Sequence, residues 1–344
     1  MKKLIGIFLS LILFSCVKDI KSLTDLKSDF YELQNRSVRM NDTLRVNFGA
    51  NQDKIISVEL LINGKKLENN VVLDESNAEL GLNQLEIYVE TKDGRVYGKT
   101  KLPVLSQYEE KAVEFEVINE YPHSKELFTQ GFFFHNDRIY EISGQYKKSK
   151  IVSYKLGSTG YLQETKLEDR FFAEGAEIVG DKIFVLTYRE RSVLVYDSKS
   201  LELIETLNMP AELREGWGLT YTGSELIAGD GSQNLYFFDE KLNFKRQIQV
   251  VGNISIYNQI NELEFINGKI YANVWQTPYI LVINPDTGRV EQYYNLQSIN
   301  ESKGSDDVLN GIAFYNGNIL VTGKNWSKIY ELNLPEELKT DSIP

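Results

Sequence analysis

"AEGAEIVGDKIFVLTY" (residues 173–188) sets two apolar runs on either side of a Gly-Asp turn, and the same arrangement returns four more times. "TQGFFFHNDRIYEISG" (129–144), "GWGLTYTGSELIAGDG" (216–231), "NELEFINGKIYANVW" (261–275) and "NGIAFYNGNILVTGK" (310–324) each read as strand, polar turn, strand. The first apolar residues after the turns are Ile139, Ile183, Leu226, Ile270 and Ile319, separated by 44, 43, 44 and 49 residues. A second β-rich run follows, as in "SVLVYDSKSLEL" (192–203), "NLYFFDEKLNF" (234–244) and "YILVINPDTGRV" (279–290). The turns "DSKS" and "NPDTG" within these runs suit hairpins. A period in the forties with about four strands per unit is the signature of a β-propeller blade. Five units predict an all-β, five-bladed propeller over residues 108–337.

In a propeller the innermost strand of each blade lines the central channel, so its start lies at one mouth. Aligning the repeats places Gln130, Glu174, Trp217, Asn261 and Asn310 at equivalent points, again 44, 43, 44 and 49 residues apart. A second ring comes from the following strands, where Gly144, Tyr188, Asp230, Trp275 and Lys324 fall at nearby points. A carboxylate, a lysine, an amide and several indoles in one concave, partly apolar mouth make the default binding-site hypothesis. Two accounts fit this set. Partial burial could shift the ionisation of Glu174 and Lys324 for catalysis. Equally, a Glu–Lys ion pair could simply hold the channel together.

The 344-residue length suits about two domains, and the net charge of −11 argues against a nucleic-acid role, because phosphate binding needs a basic face. The N-terminus, "MKKLIGIFLSLILFSCVKD", has the grammar of an export signal: Lys2 and Lys3, then an apolar stretch from Leu4 to Phe14. That stretch is too short to span a bilayer comfortably. It ends in "LFSC" (13–16), which resembles a bacterial lipobox. The expectation is a signal peptide over 1–15, lipidation at Cys16, and a mature protein anchored by lipid outside the cytoplasm, at the periplasmic face or cell surface. Cys16 is the only cysteine, so no intrachain disulfide can form. Residues 16–107 read as short strands and turns, with "IISVELLING" (55–64) running into the turn "NGKK" and a hairpin around Asp93-Gly94. A small immunoglobulin-like sandwich acting as a spacer is expected there.

Other chemistries fit poorly. The two histidines, His123 and His135, are too few and too isolated for a histidine-rich metal centre. No G-x-S-x-G elbow is present. "SDDVLNG" (305–311) and "GDG" (229–231) offer oxygens, but no loop supplies the six or more that calcium wants. A required metal or cofactor is therefore not expected, with a structural calcium as the most that the Asp-rich turns allow. His123 in "YPHS" reads as a loop residue near the mouth, without a role.

The stretches "YPHSKELFTQGF" (121–132), "FFAEGAE" (171–177), "REGWGLTYTG" (214–223), "NELEFINGKIYANVWQT" (261–277), "VLNGIAF" (308–314) and "VTGKNW" (321–326) occur in an order that resembles the plant and bacterial glutaminyl-peptide cyclotransferases. The resemblance covers residues from about 120 to 332 and none of the N-terminal region. It implies a five-bladed propeller, in agreement with the repeat count. It also implies metal-independent acid–base catalysis: ammonia leaves an N-terminal glutamine as the α-amine closes on the side chain, giving a pyroglutamyl peptide. By the same resemblance Glu174 is the catalytic carboxylate, and Asn261 and Lys324 stabilise the reacting amide. Phe128, Gln130, Phe172, Trp217 and Trp275 match pocket positions. Tyr188 stands where the family usually has Trp, and Ala173 where it usually has Gly. The partners implied are peptides or proteins with N-terminal glutamine, met by a monomer. The alternative is a non-catalytic propeller lipoprotein that binds peptide or glycan at the channel mouth.

Overall fold

Asn136-Asp137, Asn267-Gly268 and Asn316-Gly317 hold positive φ at both positions (48° and 61°, 49° and 77°, 48° and 82°). Such pairs twist a two-residue turn in the sense of the strands it joins, so each closes a tight hairpin. The hairpins are Thr129–His135 with Arg138–Ser143, Ile260–Ile266 with Lys269–Val274, and Leu309–Tyr315 with Asn318–Gly323. The computed structural model describes residues 21–22, 29–34, 36–304, 306–335 and 338. The proposed signal and Cys16 lie outside the described residues.

The five repeats build five antiparallel sheets. The first continues from its hairpin through Lys150–Tyr154 and Gln163–Lys166. The second contains Ala173–Val179, Lys182–Thr187, Ser192–Asp197 and Leu203–Asn208; the third Leu219–Tyr221, Leu226–Gly229, Asn234–Phe238 and Phe244–Gln249. The fourth adds Tyr279–Ile283 and Val290–Asn295, and Lys111–Ala112 joins its edge in parallel. The fifth adds Lys328–Asn333 and takes its last strand, Val117–Pro122, from ahead of the first repeat. The leading strands lie against one another in cyclic order, first to second and onward to fifth, then back to first. The expected all-β class holds.

Burial explains why the second strands read as unbroken apolar runs. A strand buried on both faces needs no polar alternation. Ile183 and Val185 pack toward the first sheet with Phe133 and Ile142, whereas Phe184 and Leu186 pack toward the third with Leu219 and Phe238. Equivalent clusters fill the remaining gaps: Ile227 and Phe237 with Ile260 and Leu281, Tyr271 and Val282 with Ile312 and Trp326, and Ala313 and Leu320 with Phe132 and Ile139. The core is thus divided into apolar layers between neighbouring sheets, leaving the leading strands for the axis.

The described residues divide into two compact units, one comprising those up to 78 with 83–102, the other 79–82 and those from 103 onward. In the first, Ile55–Ile62 pairs with Lys65–Glu68 through a turn at Asn63-Gly64, both at positive φ. The long strands Gly81–Thr91 and Gly94–Leu105, of which residues 83–91 and 94–102 belong to this unit, are joined through Lys92-Asp93, one residue before the turn that the sequence suggests. Thr43–Leu44 and Val71–Val72 form a separate two-stranded ladder, and Phe30–Gln34 is a short helix. Among the described residues no helix is long and apolar enough to cross a membrane.

Candidate active site

In four of the five sheets the leading strand is broken by a bulge at the residue the repeat alignment singles out. Register shifts between Thr129 and Gly131, Ala173 and Ala176, Ile260 and Leu263, and Leu309 and Gly311. The intervening residues include Gln130, Glu174, Asn261 and Asn310. A bulge frees a residue from the ladder and re-aims its side chain. One backbone hydrogen bond recurs beside each bulge. The amides of Gly144, Tyr188, Trp275 and Lys324 donate to the carbonyls of Phe128, Phe172, Gln259 and Val308 at 2.8, 3.0, 2.9 and 2.9 Å. In these four sheets the positions of the two sequence-derived rings are therefore neighbours at the start of the leading strand.

The third sheet departs from this pattern. Its leading strand begins only at Leu219, and Trp217 donates instead to the carbonyl of Gly229 at 3.1 Å. Asp230, placed in the second ring by spacing, keeps its carboxylate within its own sheet, accepting from the Ser232 amide at 3.1 Å and the Tyr236 hydroxyl at 3.3 Å. Glycine makes the convergence of strands feasible. The Gly175 amide donates to the Trp217 carbonyl at 2.6 Å, and a Cβ at Gly175 would stand 2.4 Å from that oxygen. A Cβ at Gly218 would stand 2.0 Å from the Asn261 carbonyl. The glycine after Glu174 is thus dictated by backbone approach.

Glu174 and Lys324 are 6% and 5% exposed. Among the described residues neither side chain makes a hydrogen bond and no ion pair joins them, yet each acts on the other's ionisation. Burial pushes the Glu174 carboxyl well above the usual range; Lys324 opposes this, while Glu215 and Glu190 reinforce it. Burial draws the Lys324 ammonium down to about 8, against the pull of Glu174 and Asp306. Its Nζ lies 4.8 Å from the centre of the Phe128 ring, a cation–π placement. Asn310 donates through Nδ2 to Gln130 Oε1 at 2.9 Å and to the Thr129 carbonyl at 2.8 Å. The Oδ1 atoms of Asn261 and Asn310 are buried without a partner. Unmet polar atoms of this kind are costly in a finished core and suit a site awaiting a ligand.

Aromatic rings carried by the same segments pack against one another. Phe172 meets Phe128 and Tyr146 edge-on, at 6.3 and 5.3 Å between centroids, and Tyr188 at a tilt, at 5.7 Å. Trp217 and Trp275 form a T-shaped pair at 6.0 Å. Two carboxylates that the sequence did not single out brace these rings. Glu215 accepts from Trp217 Nε1 at 3.2 Å and from Arg189 Nε at 2.8 Å, and Arg189 in turn covers the Tyr188 ring at 4.5 Å. Glu190 accepts from the Tyr146 hydroxyl at 2.7 Å and from the Phe172 amide at 3.4 Å. Repeat alignment reads one position per strand and gives no sign of such links. Further along the leading strands stand Glu177, Glu262 and Glu264. Burial raises all three, Glu177 to about 7, and Glu262 and Glu264 also feel neighbouring carboxylates. Among the described residues no group of three or more His, Cys, Asp or Glu side chains is arranged to hold a metal ion.

Comparison with known proteins bears on this geometry. The glutamine cyclotransferase family model matches residues 87–334, more than half of the chain. The chain belongs to the glutamine cyclotransferase family. It is 32% identical to the glutaminyl-peptide cyclotransferase of Arabidopsis thaliana over 236 residues, covering 65% of this chain and 72% of the plant protein. The crystal structure of Myxococcus xanthus glutaminyl cyclase superposes with a TM-score of 0.60 at 30% identity, covering 65% of this chain and 98% of that one. The family that the motifs resemble is the family found, and the cyclotransferase's bulged ring falls inside the matched region.

Proposed function

We propose that this cyclotransferase converts N-terminal glutaminyl residues of peptides and proteins to pyroglutamyl residues, with Glu174, Asn261 and Lys324 as its catalytic groups. The observation that carries the assignment is the Glu174–Lys324 pair: buried, without hydrogen bonds of its own among the described residues, and with the Phe128 ring against the ammonium. A structural ion pair would be expected in direct contact and fully hydrogen-bonded. This one is poised to receive groups from a ligand.

The chemistry follows from these groups. The substrate's α-amine attacks the side-chain amide carbon of its own residue, so proximity is largely built in. With a reference pKa of about 7.7–8.0, much of that amine is neutral at mild pH. A carbon–nitrogen bond forms and the carbonyl oxygen takes up negative charge, which Lys324 and the Asn261 amide stabilise by donating hydrogen bonds. Glu174, its affinity for protons raised by burial, accepts the amine's proton and returns it to the amide nitrogen as the carbon–nitrogen bond breaks and ammonia leaves. Phe128, Gln130, Phe172, Tyr188, Trp217 and Trp275 form the pocket. No metal or cofactor is needed for any of these steps.

The finer architecture belongs to the same proposal. Five sheets with leading strands in cyclic order support a five-bladed propeller closed by strand Val117–Pro122. The preceding unit is proposed as an immunoglobulin-like spacer, and Cys16 as a lipid anchor holding a monomeric enzyme outside the cytoplasm. Incubating the purified protein with a Gln-initiated dipeptide and following ammonia tests the activity. Silence from folded wild-type protein would overturn it.

A further inference from the structure

Glu141 lies outside the mouth, on the second strand of the first sheet, and is wholly buried. Its carboxylate gathers four hydrogen-bond contacts. His123 Nε2 reaches Oε1 at 3.0 Å and Oε2 at 3.1 Å, Thr129 Oγ1 donates at 2.7 Å and the Tyr154 hydroxyl at 2.7 Å. The other nitrogen of His123, Nδ1, meets the Trp326 carbonyl at 2.9 Å. A carbonyl only accepts, so Nδ1 carries a hydrogen, and one further proton is shared between Nε2 and the carboxylate. The His123 backbone amide also donates to the Ser327 carbonyl at 2.9 Å.

Two of these partners, Thr129 and His123, lead on to the segment that carries Lys324. Thr129 Oγ1 also touches the Gly323 carbonyl at 3.2 Å, immediately before Lys324. Asn325, immediately after it, donates from its backbone amide to the Leu127 carbonyl at 2.8 Å. His123 grips residues 326 and 327. On its other side Thr129 precedes Gln130, and its carbonyl accepts from Asn310. Among the described residues the Lys324 ammonium has no hydrogen-bond partner or ion pair, so its location is set by its backbone and by the Phe128 ring.

We propose that Glu141, through Thr129 and His123, is a positioning residue that fixes Lys324 and Gln130 in the reactive geometry. The inference rests on the role proposed above for Lys324. Displacing a reactive group by a fraction of an ångström lowers turnover more than binding, because the ground state is less demanding than the transition state.

The test uses the full chain and a Gln-initiated dipeptide. Thr129→Val keeps the shape and removes the hydroxyl; kcat is expected to fall about 10-fold with KM within about twofold, and Thr129→Ser to restore it. Tyr154→Phe removes another hydrogen bond from the same carboxylate without touching the Lys324 segment. It is expected to lower Tm but leave kcat near wild type. If Thr129→Val does not fold, Thr129→Ala serves in the same comparison. Wild-type kcat in the Thr129 variants, a change confined to KM, failure of serine to rescue, or an equal kcat loss in Tyr154→Phe would each overturn the inference. Lys324→Met, measured in parallel, separates the two levels. Activity in that variant removes the role of Lys324, whereas a dead Lys324→Met beside a fully active Thr129→Val removes only the positioning role.

Discussion

Glu141 and Glu174 are both buried carboxylates on strands of neighbouring sheets, and their surroundings drive them in opposite directions. Burial raises both. At Glu141 the charge of His123 and hydrogen bonds from His123, Tyr154 and Thr129 outweigh burial, and the carboxyl ends below its usual range. At Glu174 no donor is supplied among the described residues and only the Lys324 charge opposes burial, so the carboxyl ends well above. The difference teaches that solvation by protein donors, more than depth, decides whether a buried acid serves the fold or remains free for chemistry. One carboxylate is saturated. The other is left hungry.

Breaking the hungry carboxylate should have the largest effect. Glu174→Gln removes the proton carrier, and kcat for a Gln-initiated dipeptide is expected to fall by about 10²–10⁴-fold in an ammonia-release assay. Next comes the saturated one. Glu141→Gln leaves His123 without its counter-charge, and a loss of about 3–5 kcal/mol is expected in chemical denaturation.

The pH dependence sharpens the comparison further. Because the folded Glu141 value is depressed, its contribution to stability is complete above the ordinary carboxylate range and is lost as pH falls through the folded value. Burial lowers His123, but Glu141, the Trp326 carbonyl and Glu301 together raise it, so its contribution is complete below the ordinary histidine range and is lost as pH rises through the folded value. Denaturation as a function of pH should therefore show the wild-type advantage over Glu141→Gln shrinking toward acid. For activity, Lys324 must keep its proton, and with a value of about 8 in the free enzyme kcat/KM should decline above that pH. An unchanged alkaline limb in an active Lys324→Arg variant would show that another group titrates there.

The smallest effect is expected in the stability of Glu174→Gln. A raised folded value means that ionised Glu174 destabilises the fold above the ordinary carboxylate range. The neutral amide should match the wild type or exceed it by about 0.5–2 kcal/mol near neutral pH. A clear loss of Tm would instead assign Glu174 to the framework.

Much of this was legible in the chain before folding. The spacing of Ile139, Ile183, Leu226, Ile270 and Ile319 marked the repeat, and the same spacing lined up Gln130, Glu174, Asn261 and Asn310. The bulges then appeared at those four residues. The alignment did less well in the third sheet, where Asp230 turns back to Ser232 and Tyr236. His123 read as a loop residue without a role, yet its ring is buried between Glu141 and Trp326.

The information readable along the chain is periodic: strands, turns, the count of repeats and the residue offered at each turn of the cycle. Period is local information, set by which side chains can sit on a twice-buried strand and which residues tolerate positive φ. Only the tertiary structure decided the partners, because the Glu215–Trp217–Arg189 brace, the Glu190 link to Phe172 and the His123–Glu141 grip on the Lys324 segment mostly join positions that no spacing relates. Ionisation followed from those partners. A carboxylate's proton affinity depends on the donors and charges folded around it, and these come from distant parts of the chain.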